Sequence, residues 1–226
     1  MIDNKKVTAI ILAAGNSIRY GKNRNKNFEE IKNKPVLQYS IECFDNNPNI
    51  DNILIASKAD EVDIINSMIS KINPNNKIKV ILGGKTRKES VYNCITKTNS
   101  DIVIIHDGAR PVIKQEYINN SLETMKEFKG TSMAVKSKDT IKITDDNGVV
   151  LESTKRSNTW IIHTPQCFER SILVKAHEEC INDENITDDC MLLEKLGYKI
   201  KLIEGDYTNI KLTNYEDLKI IEQYLE

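Results

Sequence analysis

The chain has 226 residues, with 32 lysines and arginines against 33 aspartates and glutamates and a net charge of -1. That length suits one large α/β domain or a domain with an appendage, and either buries a real core, so disorder is not the default. Near-neutral charge gives no global field for nucleic acid or an acidic membrane, and with a mean hydropathy of -0.44 no apolar run approaches the ~20 residues that span a bilayer.

The first predicted element is a buried strand over 7–12. Lys5 and Lys6 before the apolar run 7–14 mimic a signal peptide, but the run sits at the short limit of the ~7–15 residues such segments use, and a first core strand is the better reading. Amphipathic stretches then alternate with short β-branched runs: helix 36–44, strand 53–56, helix 62–72, strand 78–82, helix 87–97, strand 102–105 and helix 117–128. Strand and helix taking turns predicts a mostly parallel twisted sheet with helices on both faces, an α/β fold whose first ~130 residues form a doubly wound, Rossmann-like half.

After Gly130 apolar and polar residues alternate around Asp146, Asn147 and Gly148, a hairpin signal. The expectation is a single domain over 1–226 with an antiparallel β-hairpin arm, 136–158, protruding from it. A two-stranded ribbon is marginal alone, so the arm is expected to pack on a second copy of the chain, with packing on its own domain as the alternative. The α/β rhythm returns with strand 160–164, helices near 169–182 and 188–196, strand 200–203 and a last helix from Tyr215. The five cysteines are widely spaced without a C-x-x-C pair, which predicts a reducing, cytoplasmic setting.

In open α/β sheets ligands bind at the carboxyl ends of strands, and four predicted strand ends are unusually polar or glycine-rich. The first reads "VTAIILAAGNSIRYGKNRNKNF" over 7–28. Ala13, Ala14 and Gly15 let backbone N–H groups approach a phosphate closely. The stretch lacks both G-x-G-x-x-G and the Walker G-K-[ST], and its cations Arg19, Lys22, Arg24 and Lys26 include two, Arg19 and Lys26, placed to curl back over a polyphosphate. A solvated loop is the plain alternative. The second, "ILGGKTRKES", has Gly83 and Gly84 where backbone groups can read a flat base edge, and Ser90 can add a hydrogen bond; a simple turn stands beside that reading.

The third, "DIVIIHDGARP", delivers His106, Asp107, Gly108, Ala109 and Arg110 at a strand tip. Asp107 is a candidate magnesium ligand, Arg110 suits a phosphate, and His106 reads as structural. The fourth combines "TPQCF" from Thr164, "ITDD" with Thr187 and Asp188, and "NIKLTNYEDL". Thr187 and Asp188 also fit a helix cap, and Thr213 with Glu216 forms a capping box. Lys211 is left unexplained by capping and suits a point charge for phosphate.

Assembled, these stretches resemble the 2-C-methyl-D-erythritol 4-phosphate cytidylyltransferase family of the non-mevalonate isoprenoid pathway. The resemblance runs from Val7 to the C-terminus through "LAAG" with Arg19 and Lys26, "GG" before Ser90, "HDGARP", "TPQ", "TD" and "NIK". It implies that Arg19, Lys26 and Lys211 surround the triphosphate and reacting phosphate, and that Ala13, Ala14, Gly15, Gly84, Lys85 and Ser90 form the nucleotide side. It further implies an acceptor site from Asp107, Gly108, Arg110, Thr164 and Thr187, with Thr140 and Arg156 reaching in from the arm of a homodimer partner, and Mg²⁺ as cofactor. Ser17 stands where the family often has a second glycine, Asn25-Lys26-Asn27 replaces Pro-Lys-Gln, and Lys85 stands where an acidic residue is common.

The implied reaction is attack by an acceptor phosphate oxygen on the α-phosphorus of CTP. An alkyl phosphate, with a second pKa near ~6, is already a dianion at neutral pH and needs no general base. No serine, cysteine or histidine arrangement suited to covalent catalysis is visible. Ribitol 5-phosphate cytidylyltransferases are the nearest rivals, and "AAG" and "HDGARP" favour methylerythritol phosphate over them. Molybdenum-cofactor nucleotidyltransferases would leave "TPQ" and "NIK" without a role, an NAD-dependent oxidoreductase lacks its glycine fingerprint, and a silent nucleotide-binding regulator has no reason to keep Lys211 and Asp107.

Overall fold

A computed structural model describes residues 4–17, 20–21 and 25–225. In chain order the elements are β1 (Val7–Leu12), a small hairpin of β2 (Glu30–Ile31) and β3 (Lys34–Pro35), α1 (Val36–Asp45), β4 (Asn52–Ser57), α2 (Val62–Ile72), β5 (Lys77–Leu82), α3 (Arg87–Ile95) and β6 (Ile102–Asp107). There follow α4 (Gln115–Thr124), β7 (Gly130–Lys136), β8 (Lys142–Thr144), β9 (Val150–Ser153), β10 (Trp160–Glu169), α5 (Arg170–Glu179), α6 (Asp189–Lys195), β11 (Ile200–Glu204) and α7 (Asp217–Glu222).

Seven strands form one sheet in the order β11-β7-β10-β6-β1-β4-β5. The expected α/β sheet with helices on both faces is therefore present. β1 runs parallel to β4 and β6, β4 to β5, and β11 to β7. Successive side chains of a strand point to opposite faces, and β1 is apolar on both. Ala9 and Ile11 pack with α1 and α4 through Ile41 and Ile118, while Ile10 packs with α3 and α5 through Val91 and Leu173.

β10 is the exception, antiparallel to both β6 and β7. The sequence reading ended this strand at Thr164; it continues through Thr164, Pro165 and Gln166 to Glu169. The connection explains the direction. β7 runs to the rim, the chain leaves there as the arm, and it re-enters from the same end, so no helical crossover turns it round.

In the arm, β8 and β9 pair only with each other, and every residue of both is exposed. The turn is organised one residue earlier than expected. Oδ1 of Asp145 accepts from the N–H groups of Asn147 at 3.0 Å and Val149 at 2.9 Å, and Gly148 takes the left-handed φ of 81°.

A third, smaller core closes the C-terminal end. Tyr20, Val36, Ala109, Leu212 and Ile221 cluster there, and the Leu212 N–H donates to the Ala109 carbonyl at 2.8 Å. That bond lays Lys211 beside the tip of β6. The expected capping box of Thr213 and Glu216 does not form, and the helix starts at Asp217 rather than Tyr215. Oδ2 of Asp217 instead accepts from the N–H groups of Thr213 at 2.7 Å and Asn214 at 2.8 Å, because an aspartate one residue later reaches both donors at once. Among the described residues no helix is long and apolar enough to cross a membrane.

Candidate active site

The carboxyl ends of β1, β5 and β6 meet along one rim, and a cleft of about 520 Å³ opens there. Ala14, Gly15, Gly84, Lys85, Ser90 and Lys26 all line it, with Asp107 and Lys211 on its far wall. Ala13 does not. It lies beneath the cleft, its N–H donating to the Ala56 carbonyl at 2.8 Å and its carbonyl accepting from Asn25 at 2.9 Å and Asn27 at 3.2 Å. Its backbone is committed to the scaffold.

Gly84 is required by packing, since a Cβ there would stand 2.2 Å from the Cβ of Glu89. The Ser90 hydroxyl accepts from the Gly84 N–H at 3.0 Å and donates to the Thr86 carbonyl at 2.9 Å. Its donor is therefore used in shaping the glycine turn. Thr86 caps α3 by accepting from the Glu89 N–H, and Glu89 accepts in turn from the Lys85 N–H at 2.6 Å. This is a capping box displaced by one residue, and it holds Lys85 at the cleft mouth.

Lys26 opens a single 3-10 turn, Lys26–Phe28, and its ammonium donates to the carbonyl of Leu212. Lys211, the next residue back along that C-terminal segment, places Nζ 2.7 Å from Oδ2 of Asp107. The two lysines thus converge although they come from opposite ends of the chain. Arg19, with Lys22 and Arg24, lies outside the described residues.

A second cleft of about 480 Å³ shares Arg87, Asp107 and Lys211 with the first and adds Arg110, Thr164 and Thr187. Gly108 lines neither; it packs under the tip, where a Cβ would meet Leu37 at 2.8 Å. Arg110 is 8% exposed. Its Nη1 donates to the Asn209 carbonyl at 2.6 Å, and Asn209 donates to the Thr164 carbonyl at 2.8 Å. Nε of Arg110 has no hydrogen-bond partner among the described residues and stands 3.7 Å from Asp107.

His106 is structural, as expected. Its Nε2 faces the Arg110 carbonyl at 3.0 Å, a pure acceptor, so Nε2 carries the proton and Nδ1 accepts from the Thr164 hydroxyl at 3.0 Å. Burial lowers its pKa to about 4, which keeps the ring neutral. The Thr164 oxygen also accepts from the Asp107 N–H at 3.1 Å. Thr164 therefore locks the strand tip. Thr187 donates to the Met191 sulfur at 3.1 Å, and Asp188 caps α6 while accepting from Gln166 at 2.8 Å. Thr140 and Arg156 are exposed on the arm and line neither cleft of their own chain.

Arg87 is the residue the sequence reading passed over. It donates to Asp189 at 2.6 Å and stands 3.5 Å from Asp107, on the wall between the clefts. A signal existed: it is the first residue of α3 after the Thr86 cap, where the helix dipole disfavours a cation. An arginine there needs an anion to explain it. Burial opposes its charge, but Asp189 and Asp107 outweigh that effect and raise its pKa.

Burial also pushes the Asp107 carboxyl up, yet Arg87, Lys211 and Arg110 together hold it well below the usual carboxylate range. A carboxylate ringed by three cations does not fit a divalent metal. Among the described residues no group of three or more histidines, cysteines or acids gathers to hold one. The expectation of magnesium at Asp107 has no support in this geometry.

The fold and this distribution of charge place the chain among the nucleotidyltransferases. The family model described as IspD, 2-C-methyl-D-erythritol 4-phosphate cytidylyltransferase, matches residues 7–226. A relative of that name from Caldanaerobacter subterraneus subsp. tengcongensis is 40% identical, over 97% of this chain and 98% of its own. Another, from Clostridioides difficile, is 41% identical over 96% and 93%. The solved 4-diphosphocytidyl-2C-methyl-D-erythritol synthase of Anaerococcus prevotii superposes with a TM-score of 0.89 at 30% identity, covering 99% of this chain and 97% of that one. The chain belongs to the 2-C-methyl-D-erythritol 4-phosphate cytidylyltransferase family, whose place is in isoprenoid biosynthesis.

Proposed function

We propose that this chain transfers CMP from CTP to 2-C-methyl-D-erythritol 4-phosphate, releasing pyrophosphate. The observation that carries the reading is the wall of Arg87, Asp107 and Lys211 common to both clefts. Two anionic substrates that meet across it repel one another, and fixed cations at the meeting point remove that barrier. The first cleft takes the nucleotide, with the small residues Ala14, Gly15 and Gly84 admitting its base and sugar and Lys26 facing its phosphates. The second takes the acceptor phosphate, with the charge of Arg110 in its lining.

An acceptor phosphate oxygen attacks the α-phosphorus, forming the new P–O bond. The bond to the bridging oxygen breaks, and its electron pair leaves with pyrophosphate. The nucleophile is already a dianion near pH 7, so no proton is removed by the protein. Asp107 acts as the anion that orders three cations, in place of the metal-ligand role. Lys26 and Lys211 stabilise charge that builds on the phosphates in the transition state, which raises kcat more than affinity.

The arm completes the site in a homodimer. Ile143, Val150 and Leu151 are exposed on a ribbon with no sheet behind it, an arrangement a second copy would cover. From there Thr140 and Arg156 reach the partner's acceptor cleft. The test is pyrophosphate release from CTP in the presence of Mg²⁺, with methylerythritol phosphate and ribitol phosphate offered side by side. Turnover confined to methylerythritol phosphate is expected; turnover confined to ribitol phosphate would overturn the acceptor assignment.

A further inference from the structure

Asn25 immediately precedes Lys26 and is 7% exposed. Its amide nitrogen donates to the Ala13 carbonyl and to Oε2 of Glu61, both at 2.9 Å. Its oxygen accepts from the Asn27 N–H at 3.1 Å and the Ser17 hydroxyl at 3.2 Å. That exhausts the two donors and two lone pairs an asparagine side chain possesses. Ser17 takes the left-handed φ of 52°, and its hydroxyl also accepts from the Lys26 N–H at 3.2 Å.

Capping the turn that starts at Lys26 requires only the asparagine oxygen. The nitrogen reaches further, to the end of β1 through Ala13 and to the start of α2 through the buried Glu61. One is a strand of the main sheet and the other the helix that connects β4 to β5. The backbone of Lys26 is therefore located against the scaffold by Asn25, with Asn27 adding a bond to the Ala13 carbonyl, and Ser17 ties in at the same point. A lysine must be held within a few tenths of an ångström to favour a transition state over a ground state.

We propose that Asn25, supported by Ser17 and Glu61, is a positioning residue that sets Lys26 for the transferring phosphate. The inference rests on the catalytic reading of Lys26 given above. Asn25→Ala is expected to lower kcat at least about tenfold while KM for CTP stays within about twofold, because the interaction lost acts mainly in the transition state. In a Lys26→Ala background the same substitution is expected to cost less than about twofold, since no lysine remains to be positioned. A purely structural asparagine would cost the same in both backgrounds.

The experiment compares parent, Asn25→Ala, Lys26→Ala and the double variant by pyrophosphate release, with a thermal melt on each. Should Asn25→Ala fail to fold, Ser17→Ala, which removes the hydroxyl between Asn25 and Lys26, is read by the same two-background comparison. A parent without turnover overturns the proposed function and this inference with it. An active parent matched by the Asn25→Ala variant, or a loss that persists undiminished without Lys26, overturns the inference alone.

Discussion

The Lys211 ammonium and the Asp107 carboxylate stand 2.7 Å apart, with Asp107 almost wholly enclosed. That pair aims one cation at two clefts, and Lys26 approaches it from the other side through Leu212. Removing one preorganised contact of this kind typically costs ~3–4 kcal/mol of transition-state stabilisation. Lys26→Ala and Lys211→Ala are each expected to lower kcat by at least about a hundredfold. Steady-state turnover with saturating CTP and acceptor checks this, and near-normal rates in both variants would refute the assignment.

Asp189 is 1% exposed and has Arg87 as its cation. Arg87→Ala leaves a buried acid without that partner, a change that costs about 3–5 kcal/mol in comparable buried pairs. Urea unfolding at pH 7 should show the loss, and Arg87→Ala with Asp189→Asn should recover part of it. Arg87→Lys is expected to lower kcat/KM despite the retained charge, because a single ammonium cannot span Asp189 and Asp107 as a guanidinium does. Unaltered unfolding in Arg87→Ala would contradict the structural half of this account.

For Arg156→Ala the expected effect is a raised KM for the acceptor with little change in KM for CTP. Mixed dimers in which one copy carries Arg156→Ala and the other carries Lys211→Ala should regain activity, since one site then holds an intact lysine and an intact arm. If mixing restores nothing, the acceptor site is not shared between copies.

All three histidines, His106, His163 and His177, have pKa values lowered to about 4, each chiefly by burial. An unfolded histidine titrates near ~6.5. Between those values the unfolded chain binds more protons, so this contribution to stability is complete above pH ~6.5 and is lost as pH falls towards 4. For fully buried His106 the loss is on the order of 3 kcal/mol. Asp107, held well below its ordinary range, loses its share only at lower pH, while Glu61 and Asp189, raised by burial, act in the opposite sense. Imidazole proton resonances should show no titration near pH 6.5, and a midpoint there for His106 would contradict its buried, neutral state.

Much of the site was legible because strand ends announce themselves locally. "LAAG", "HDGARP" and "NIK" each carry small or charged residues directly after an apolar run, and a doubly wound sheet sends such ends to one rim. What the reading did not foresee is how far the fold itself engages these side chains. Ser90 and Thr164 were expected to face ligands, yet their hydroxyls are engaged by Gly84 and Thr86 and by Asp107 and His106. Ala13 was expected at the nucleotide, yet Asn25 and Asn27 claim its carbonyl. The bonds of Thr164 join residues more than fifty positions apart, which no local pattern encodes.

The sequence by itself determined the alternation of strands and helices, the arm, and which residue types stand at each strand end, because periodicity and turn chemistry act over a few neighbouring residues. Tertiary structure decided the direction of β10, the ring of Arg87, Arg110 and Lys211 around Asp107, and the seat of Lys26 on Asn25. Coulombic and hydrogen-bond energies depend on distances through space, and only the closed sheet sets the separation of residues far apart in the chain.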